Sequence, residues 1–276
     1  MNLVVQGARI APAILQALND YTRPSRTEEL ASGACRLHDA QPHPQLEALC
    51  AQAGLDFTWV EPGRRLCDFG LFVTDMDSTL INIECIDEIA DMQGLKAEVA
   101  AITEASMRGE IDFGESLVRR VSLLSGVPEA ALDEIYHERL RLNPGAERLL
   151  HTLQASGLHT VLVSGGFTHF TDRLRTRLGF DEAWANRLEV VDGVLTGRIV
   201  GDMVDAAAKA AHLTRIRDRL GLRPEQVIAA GDGANDIPML RAAGFGVAYR
   251  GKPVLQQLAD CRLNHSGLDG ILNLFE

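Results

Sequence analysis

Residues 71–79 read Leu71-Phe72-Val73-Thr74-Asp75-Met76-Asp77-Ser78-Thr79, a short apolar run that stops at two carboxylates two residues apart. Such a run, bounded by polar residues, suits a buried parallel strand. Two carboxylates at a strand's end can project into one cleft and stay chemically distinct. One can serve as nucleophile or metal ligand while the other shuttles a proton. Ser78 and Thr79 suit the start of a following helix, whose free N–H groups favour an anion.

Three further apolar runs repeat the pattern: Thr160–Val163, Val227–Ala230 and Gly246–Ala248. Between them lie helical patterns, Gly145–Ala155 with Pro144 near its first turn and Ala206–Leu220. Leu188–Val191, Asp192-Gly193 and Val194–Ile199 read as a β-hairpin, because Asp-Gly supplies the positive φ of its turn. Strands alternating with helices predict an α/β fold, a doubly wound Rossmann-like parallel sheet with ligands beyond the carboxyl ends of its strands. The stretch from Glu84 to about Arg141 has helical periodicity and no strand pattern. It is expected to be a helical cap inserted after the first core strand, where a lid over an active site belongs.

The turn-rich Glu61-Pro62-Gly63-Arg64-Arg65 separates an early region from this core. The expected domains are therefore an accessory α+β unit over 1–66 and a core over 67–276, with the cap at about 84–141. In the early region Leu3–Gln6, Ala34–Leu37 and Asp56–Val60 read as strands, and Ala13–Leu18 and Pro44–Ala53 as helices. This β-α-β-α-β order resembles a clipped, small-ligand-binding ACT module that is one strand short. Read from its residues alone, it is an accessory packing or dimerisation domain, with a homodimer among the expected assemblies.

The 27 basic and 38 acidic residues leave a net charge of −11, which disfavours non-specific binding to nucleic acid or to an acidic membrane. The longest stretch free of charged residues, Leu149–Thr171, is too polar to span a bilayer. The start of the chain lacks the basic and long apolar segments of a signal peptide. Five widely spaced cysteines without a CxxC pattern suit reduced thiols, so a cytoplasmic protein with no nucleic-acid or membrane partner is expected.

Three other polar clusters accompany the Asp75 segment. Ser164-Gly165-Gly166 follows the second core strand, and its hydroxyl and glycine N–H groups can bind phosphate oxygens. Lys209 lies among alanines in a chain with only 3 lysines beside 24 arginines. A compact ammonium suits a developing phosphoryl anion. Gly231-Asp232-Gly233-Ala234-Asn235-Asp236 offers two hard oxygen donors across a tight turn, as Mg²⁺ prefers, without the spacing of an EF-hand. If the ligand is a phosphate, carboxylates at these strand ends require a metal to offset their repulsion.

In this order the four clusters resemble the motifs of the haloacid-dehalogenase-type phosphohydrolases, from Leu71 to the end of the chain. The resemblance implies that Asp75 is the nucleophile forming an aspartyl-phosphate. Asp77 would protonate the leaving oxygen and then activate water, and Ser164 and Lys209 would hold the phosphoryl oxygens. Mg²⁺ would sit on the carboxylates of Asp75 and Asp232 and the backbone carbonyl of Asp77, with Asp236 in support.

The segments DMDSTLINIE from Asp75 and MRGEIDFGESLVRRVSLL from Met107 narrow the resemblance to the phosphoserine phosphatase family. That match implies Glu84 for the substrate ammonium and Arg120 for its carboxylate. It implies Met107 and Phe113 as the apolar lid wall, and Gly165 and Asn235 as further polar contacts. Arg119 is the expected exposed neighbour. The expected reaction is Mg²⁺-dependent hydrolysis of O-phospho-L-serine to L-serine and phosphate, the last step of serine biosynthesis. Two alternatives are phosphoryl transfer to another hydroxy amino acid, such as homoserine, and a catalytically inactive amino-acid-binding regulator. A P-type ATPase fragment is excluded by the absence of DKTGT.

Overall fold

Apolar residues at successive positions of Asn2–Gly7 (β1) are buried on both faces of a strand, so this strand lies at the centre of a sheet. The computed structural model describes residues 1–31, 33–107 and 110–276, the side chains of Ala31 and Met107 excepted. After β1 come Pro12–Thr22 (α1), Arg26–Ala31 (β2), Ala34–His38 (β3), Leu46–Ala53 (α2) and Leu55–Val60 (β4). They build a four-stranded antiparallel sheet of order β2-β3-β1-β4. Leu3, Val5, Leu37 and Leu55 pack beneath the two helices with Leu18, Leu46 and Cys50.

This corrects the expected β-α-β-α-β order, which lacked β2. The strand Arg-Thr-Glu-Glu-Leu-Ala is a polar edge, held by register pairs such as Glu28 with Arg36 and by the His38–Glu28 contact at 2.7 Å. An edge strand needs no continuous apolar face, so no apolar alternation announces it.

The second sheet has seven strands: Leu71–Thr74 (β5), His159–Phe167 (β6), Glu182–Val191 (β7), Val194–Val200 (β8), Val227–Gly231 (β9), Phe245–Tyr249 (β10) and Cys261–Leu263 (β11). Their order is β11-β10-β9-β5-β6-β7-β8, parallel throughout except for the β7–β8 hairpin. Asp192 and Gly193 both have positive φ, +52° and +76°, as the expected hairpin turn requires. Alternate residues feed opposite faces: Phe72, Leu162 and Ile228 on one side, Leu71, Val73, Val161 and Val163 on the other.

Nine helices complete the molecule among the described residues of this region: Cys85–Met92 (α3), Lys96–Met107 (α4), Phe113–Ser122 (α5), Ala130–Glu134 (α6), Ala146–Ala155 (α7), Thr168–Leu178 (α8), Ala206–Arg219 (α9), Ile237–Ala242 (α10) and Pro253–Gln256 (α11). Helices α3 to α6 form the expected inserted cap. Its neck is pinned by a bridge between Ile81 and Leu142 and by the Asn82 N–H to Arg141 carbonyl bond at 3.0 Å. No helix among the described residues is long and apolar enough to cross a membrane.

The first sheet docks on the end of the second through polar contacts. The Asp56 carboxylate accepts the backbone N–H groups of Asn264, His265 and Ser266 at 2.8 to 3.0 Å. The buried Arg36 guanidinium donates to the carbonyls of Asn273 and Phe275 at 3.0 and 2.9 Å. All five cysteines are free, and only Cys67 is exposed.

Candidate active site

The three central strands β9, β5 and β6 point their carboxyl ends the same way, and the chain switches direction around β5. This crevice is where open α/β sheets bind ligands. Asp75 directly follows β5, Ser164 lies within β6, and Asp232 directly follows β9.

Residues 76–80 do not begin the helix expected at Ser78. They form one wide turn in which Asp77 is extended and Ser78 has φ +57°, and the helix starts only at Cys85. The left-handed Ser78 turns its hydroxyl to donate to Glu84 Oε1 at 2.6 Å. The buried Asn143 amide holds the turn from behind, donating to the carbonyls of Thr79 and Ile81 at 2.8 and 2.9 Å. Ser164-Gly165-Gly166 was expected after its strand; instead β6 runs through these residues to Phe167, and its pairing with β7 is interrupted there. A Cβ at 166 would stand 2.8 Å from Asp77 Oδ2 and from Met76 Cε, so a side chain there would displace the Asp77 carboxyl.

Lys209, on the first turns of α9, is fully buried. Its ammonium lies 2.7 Å from Asp75 Oδ1 and 2.7 Å from Asp236 Oδ1. Asp75 Oδ1 also accepts the Met76 N–H at 2.8 Å, so among the described residues Oδ2 is the oxygen left without a hydrogen bond. Asp236 Oδ2 accepts the N–H groups of Asp232 and Gly233, both at 3.1 Å, which folds the Gly231–Asp236 loop around its carboxylate. Asp232 Oδ1 accepts from Thr79 Oγ1 at 3.2 Å. Ser164 Oγ accepts the Gly166 N–H at 2.9 Å and keeps its own proton to donate.

Burial, followed by the charge of Asp236, raises the Asp75 carboxyl well above the usual range, against the pull of Lys209. The Asp77 carboxyl is pushed up to about 8 by burial and by Glu84, and its Oδ1 is buried with no hydrogen-bond partner. Asp232 rises to about 7 through burial and Asp236. Burial opposes the Lys209 ammonium, but Asp236 and Asp75 outweigh it and raise its pKa overall. The carboxylate oxygens of Asp75, Asp232 and Asp236 lie within 4.8 Å of one another. An oxygen-only set of three carboxyls against one ammonium offers the donors that a hard divalent cation prefers.

A cavity of about 670 Å³ opens above these groups, beneath the cap. It is lined by Asp75, Asp77, Glu84, Phe113, Arg120, Ser164, Gly165, Asp232 and Asn235 among the residues singled out from sequence. Lys209 and Asp236 lie beneath its floor rather than on its wall, each closed off from solvent. Met107 ends α4, and its side chain lies outside the described residues. Phe113 stands over Gly165, where a Cβ would come within 3.1 Å of its ring. Arg120, half-buried on α5, donates from Nε to the Ser116 carbonyl at 3.4 Å, and burial lowers its pKa against the nearby charges of Asp87 and Glu84. Arg119 is exposed and pairs with Glu115 at 2.5 Å. Burial also raises Glu84, despite its bond from Ser78.

Sequence reasoning missed Asn186, Asn143 and Lys252. Asn186 is fully buried, donates to the Gly165 carbonyl at 2.8 Å and accepts the Val204 N–H at 2.8 Å. It thereby joins the Ser164 segment to the start of α9, which carries Lys209. A lone asparagine in a strand carries no local signal of such a bridge. Lys252 lines the cavity and was legible only as one of three lysines.

The chain is similar to known proteins both in sequence and in fold. The family model for haloacid dehalogenase-like hydrolase matches residues 72–241. A phosphoserine phosphatase from Polaromonas sp. is 54% identical over 226 residues, covering 80% of this chain and 96% of the relative. A "probable phosphoserine phosphatase" from Vibrio cholerae, solved in unliganded form, superposes with TM-score 0.87 at 36% identity, over 99% of this chain and 85% of that one. A phospho-aspartyl intermediate analogue of phosphoserine phosphatase superposes with TM-score 0.70 at 39% identity, over 75% of this chain and 99% of the other. Motifs, sheet order, cap and these likenesses together make the chain a member of the haloacid dehalogenase-like hydrolases, within the phosphoserine phosphatase family.

Proposed function

We propose that this enzyme hydrolyses O-phospho-L-serine to L-serine and phosphate through an aspartyl-phosphate on Asp75. The observation that carries the reading is one cavity lined by Asp75, Asp77 and Ser164 from the core and by Glu84 and Arg120 from the cap side. The first set suits a phosphoryl group, and the second suits the ammonium and carboxylate of a zwitterion. A phospho-aspartyl analogue described for a relative 39% identical supports the same intermediate.

Asp75 Oδ2, free of hydrogen bonds, attacks phosphorus. The bond from phosphorus to the seryl oxygen breaks, its electron pair stays on that oxygen, and the Asp77 carboxyl gives it a proton. The Asp77 carboxylate then takes a proton from water, whose oxygen attacks the phosphorus of the aspartyl-phosphate. The bond to Asp75 breaks, phosphate leaves and the carboxylate is restored. Lys209 orients Asp75 through Oδ1, and its ammonium and the Ser164 hydroxyl hold the phosphoryl oxygens. The Asp75 and Asp232 carboxylates and the Asp77 carbonyl, with Asp236 in support, would hold Mg²⁺, which would supply positive charge against the phosphoryl oxygens.

On this reading residues 1–66 are an accessory module, 67–276 the catalytic core and about 84–141 its cap. The enzyme works in the cytoplasm as the last step of serine biosynthesis. The β-α-β-β-α-β order of the first sheet supports an ACT-like accessory role, with dimerisation as its use. The mechanism is tested by Asp75→Asn, which should lower phosphate release by at least about a thousandfold with the circular dichroism spectrum unchanged. Turnover within tenfold of the parent would overturn the nucleophile assignment.

A further inference from the structure

Three lysines divide sharply by surroundings. Lys96 is on the cap surface near Asp91 at 3.7 Å, and Lys209 is held between Asp75 and Asp236. Lys252 lies in the turn between β10 and α11, exposed, and lines the catalytic cavity beside Asp232 and Asn235. Its backbone N–H donates to the Asp232 carbonyl at 2.7 Å, which ties its position to the loop bearing Asp232. Among the described residues no ion pair engages its ammonium.

Charge accounting gives that ammonium a use. With Asp75 and Asp236 ionised against one Lys209, the buried triad carries one net negative charge, and Asp232 makes it two. A divalent cation only brings this set to neutrality. A phosphomonoester dianion entering the site therefore gains from a further positive partner, since the one Lys209 ammonium is already shared between Asp75 and Asp236. Two cations line the cavity wall among the described residues, Arg120 from the cap and Lys252 from the core. Arg120 stands near Asp87, Glu84 and Asp77. Lys252 is the one whose backbone is tied to Asp232, and a flexible stem lets an ammonium follow a phosphate without fixed geometry.

We propose that Lys252 is a phosphate-binding residue of this site, its ammonium holding a peripheral oxygen of the substrate's phosphoryl group. The inference rests on the phosphatase reading above, but its test need not. Binding of inorganic phosphate to the Mg²⁺-loaded protein is measured by titration calorimetry for the parent, Lys252→Ala, Lys252→Arg and Lys96→Ala. Every variant retains the backbone N–H that reaches Asp232.

Lys252→Ala should weaken phosphate binding about tenfold, the range of one charge-assisted hydrogen bond, and flatten its dependence on salt. Lys252→Arg should recover most of the affinity. Lys96→Ala, an equal loss of net charge, should change it less than twofold. In kinetics on phosphoserine, the Lys252→Ala effect should fall more on KM than on kcat. Phosphate affinity within twofold of the parent in Lys252→Ala, or an equal loss in Lys96→Ala, would overturn the proposal. A parent that binds phosphate through Lys252 yet releases none from phosphoserine would instead overturn the proposed function.

Discussion

Asp75 and Asp77 are the same chemical group two residues apart, and their surroundings differ as the two proposed tasks require. Asp75 has one oxygen fixed by Lys209 and the Met76 N–H, while Asp77 has a buried oxygen with no partner. The first arrangement orients a nucleophile; the second favours a carboxyl that keeps a proton to give. On the wall of the same cavity, Glu84 and Arg120 would divide a zwitterion between them. Phosphoethanolamine carries the ammonium of phosphoserine without its carboxylate, so it isolates the guanidinium. Replacing Arg120 by Leu should raise KM for L-phosphoserine about 10- to 100-fold and leave phosphoethanolamine hydrolysis within threefold, in steady-state assays. Equal losses on both substrates would remove the carboxylate assignment. Polar residues just beyond apolar strands could be read as candidates because their neighbours announced a strand end. Asn143 and Asn186 could not, since their partners are 18 or more residues away.

Elements decide whether those side chains meet. The strand at Leu71–Thr74 falls where its apolar run ends, and the Asp-Gly turn falls where positive φ is needed. The two errors at the site have a common cause: backbone that departs from regular geometry. The Asp77–Ser78 turn takes a left-handed residue without glycine, and β6 continues through two glycines that read as a turn. Both irregularities lie under the cavity, and the second is held by Asn186. Its amide bonds Gly165 and Val204 together, so β6 and the start of α9 move as one. Asn186→Ala should destabilise the fold by about 2–4 kcal/mol through the loss of buried hydrogen bonds. It should also lower kcat at least about tenfold at a temperature where the variant is fully folded, because Ser164 and Lys209 lose their common brace. A thermal shift with unchanged kcat would leave Asn186 a purely structural residue.

At the scale of the whole molecule, a chain with net charge −11 gathers six carboxylates around one cavity and answers them with few cations. The α/β alternation and the helical insertion were legible because each element repeats a strong apolar period. The first sheet was partly hidden because its edge strand is polar, and its docking depends on contacts such as Asp56 with residues 264–266 that no local pattern encodes. Its buried contacts place it against the core, while the catalytic cavity is built from residues 75–252. The substrate claim therefore rests on that cavity. The most direct test measures phosphate release from L-phosphoserine beside phosphothreonine, phosphosugars and nucleotides, with Mg²⁺ and again with a chelator. L-Phosphoserine should be strongly preferred, with activity lost with the chelator and restored by Mg²⁺. Equal activity across the panel, or preference for a phosphate ester lacking both amino and carboxylate groups, would contradict it.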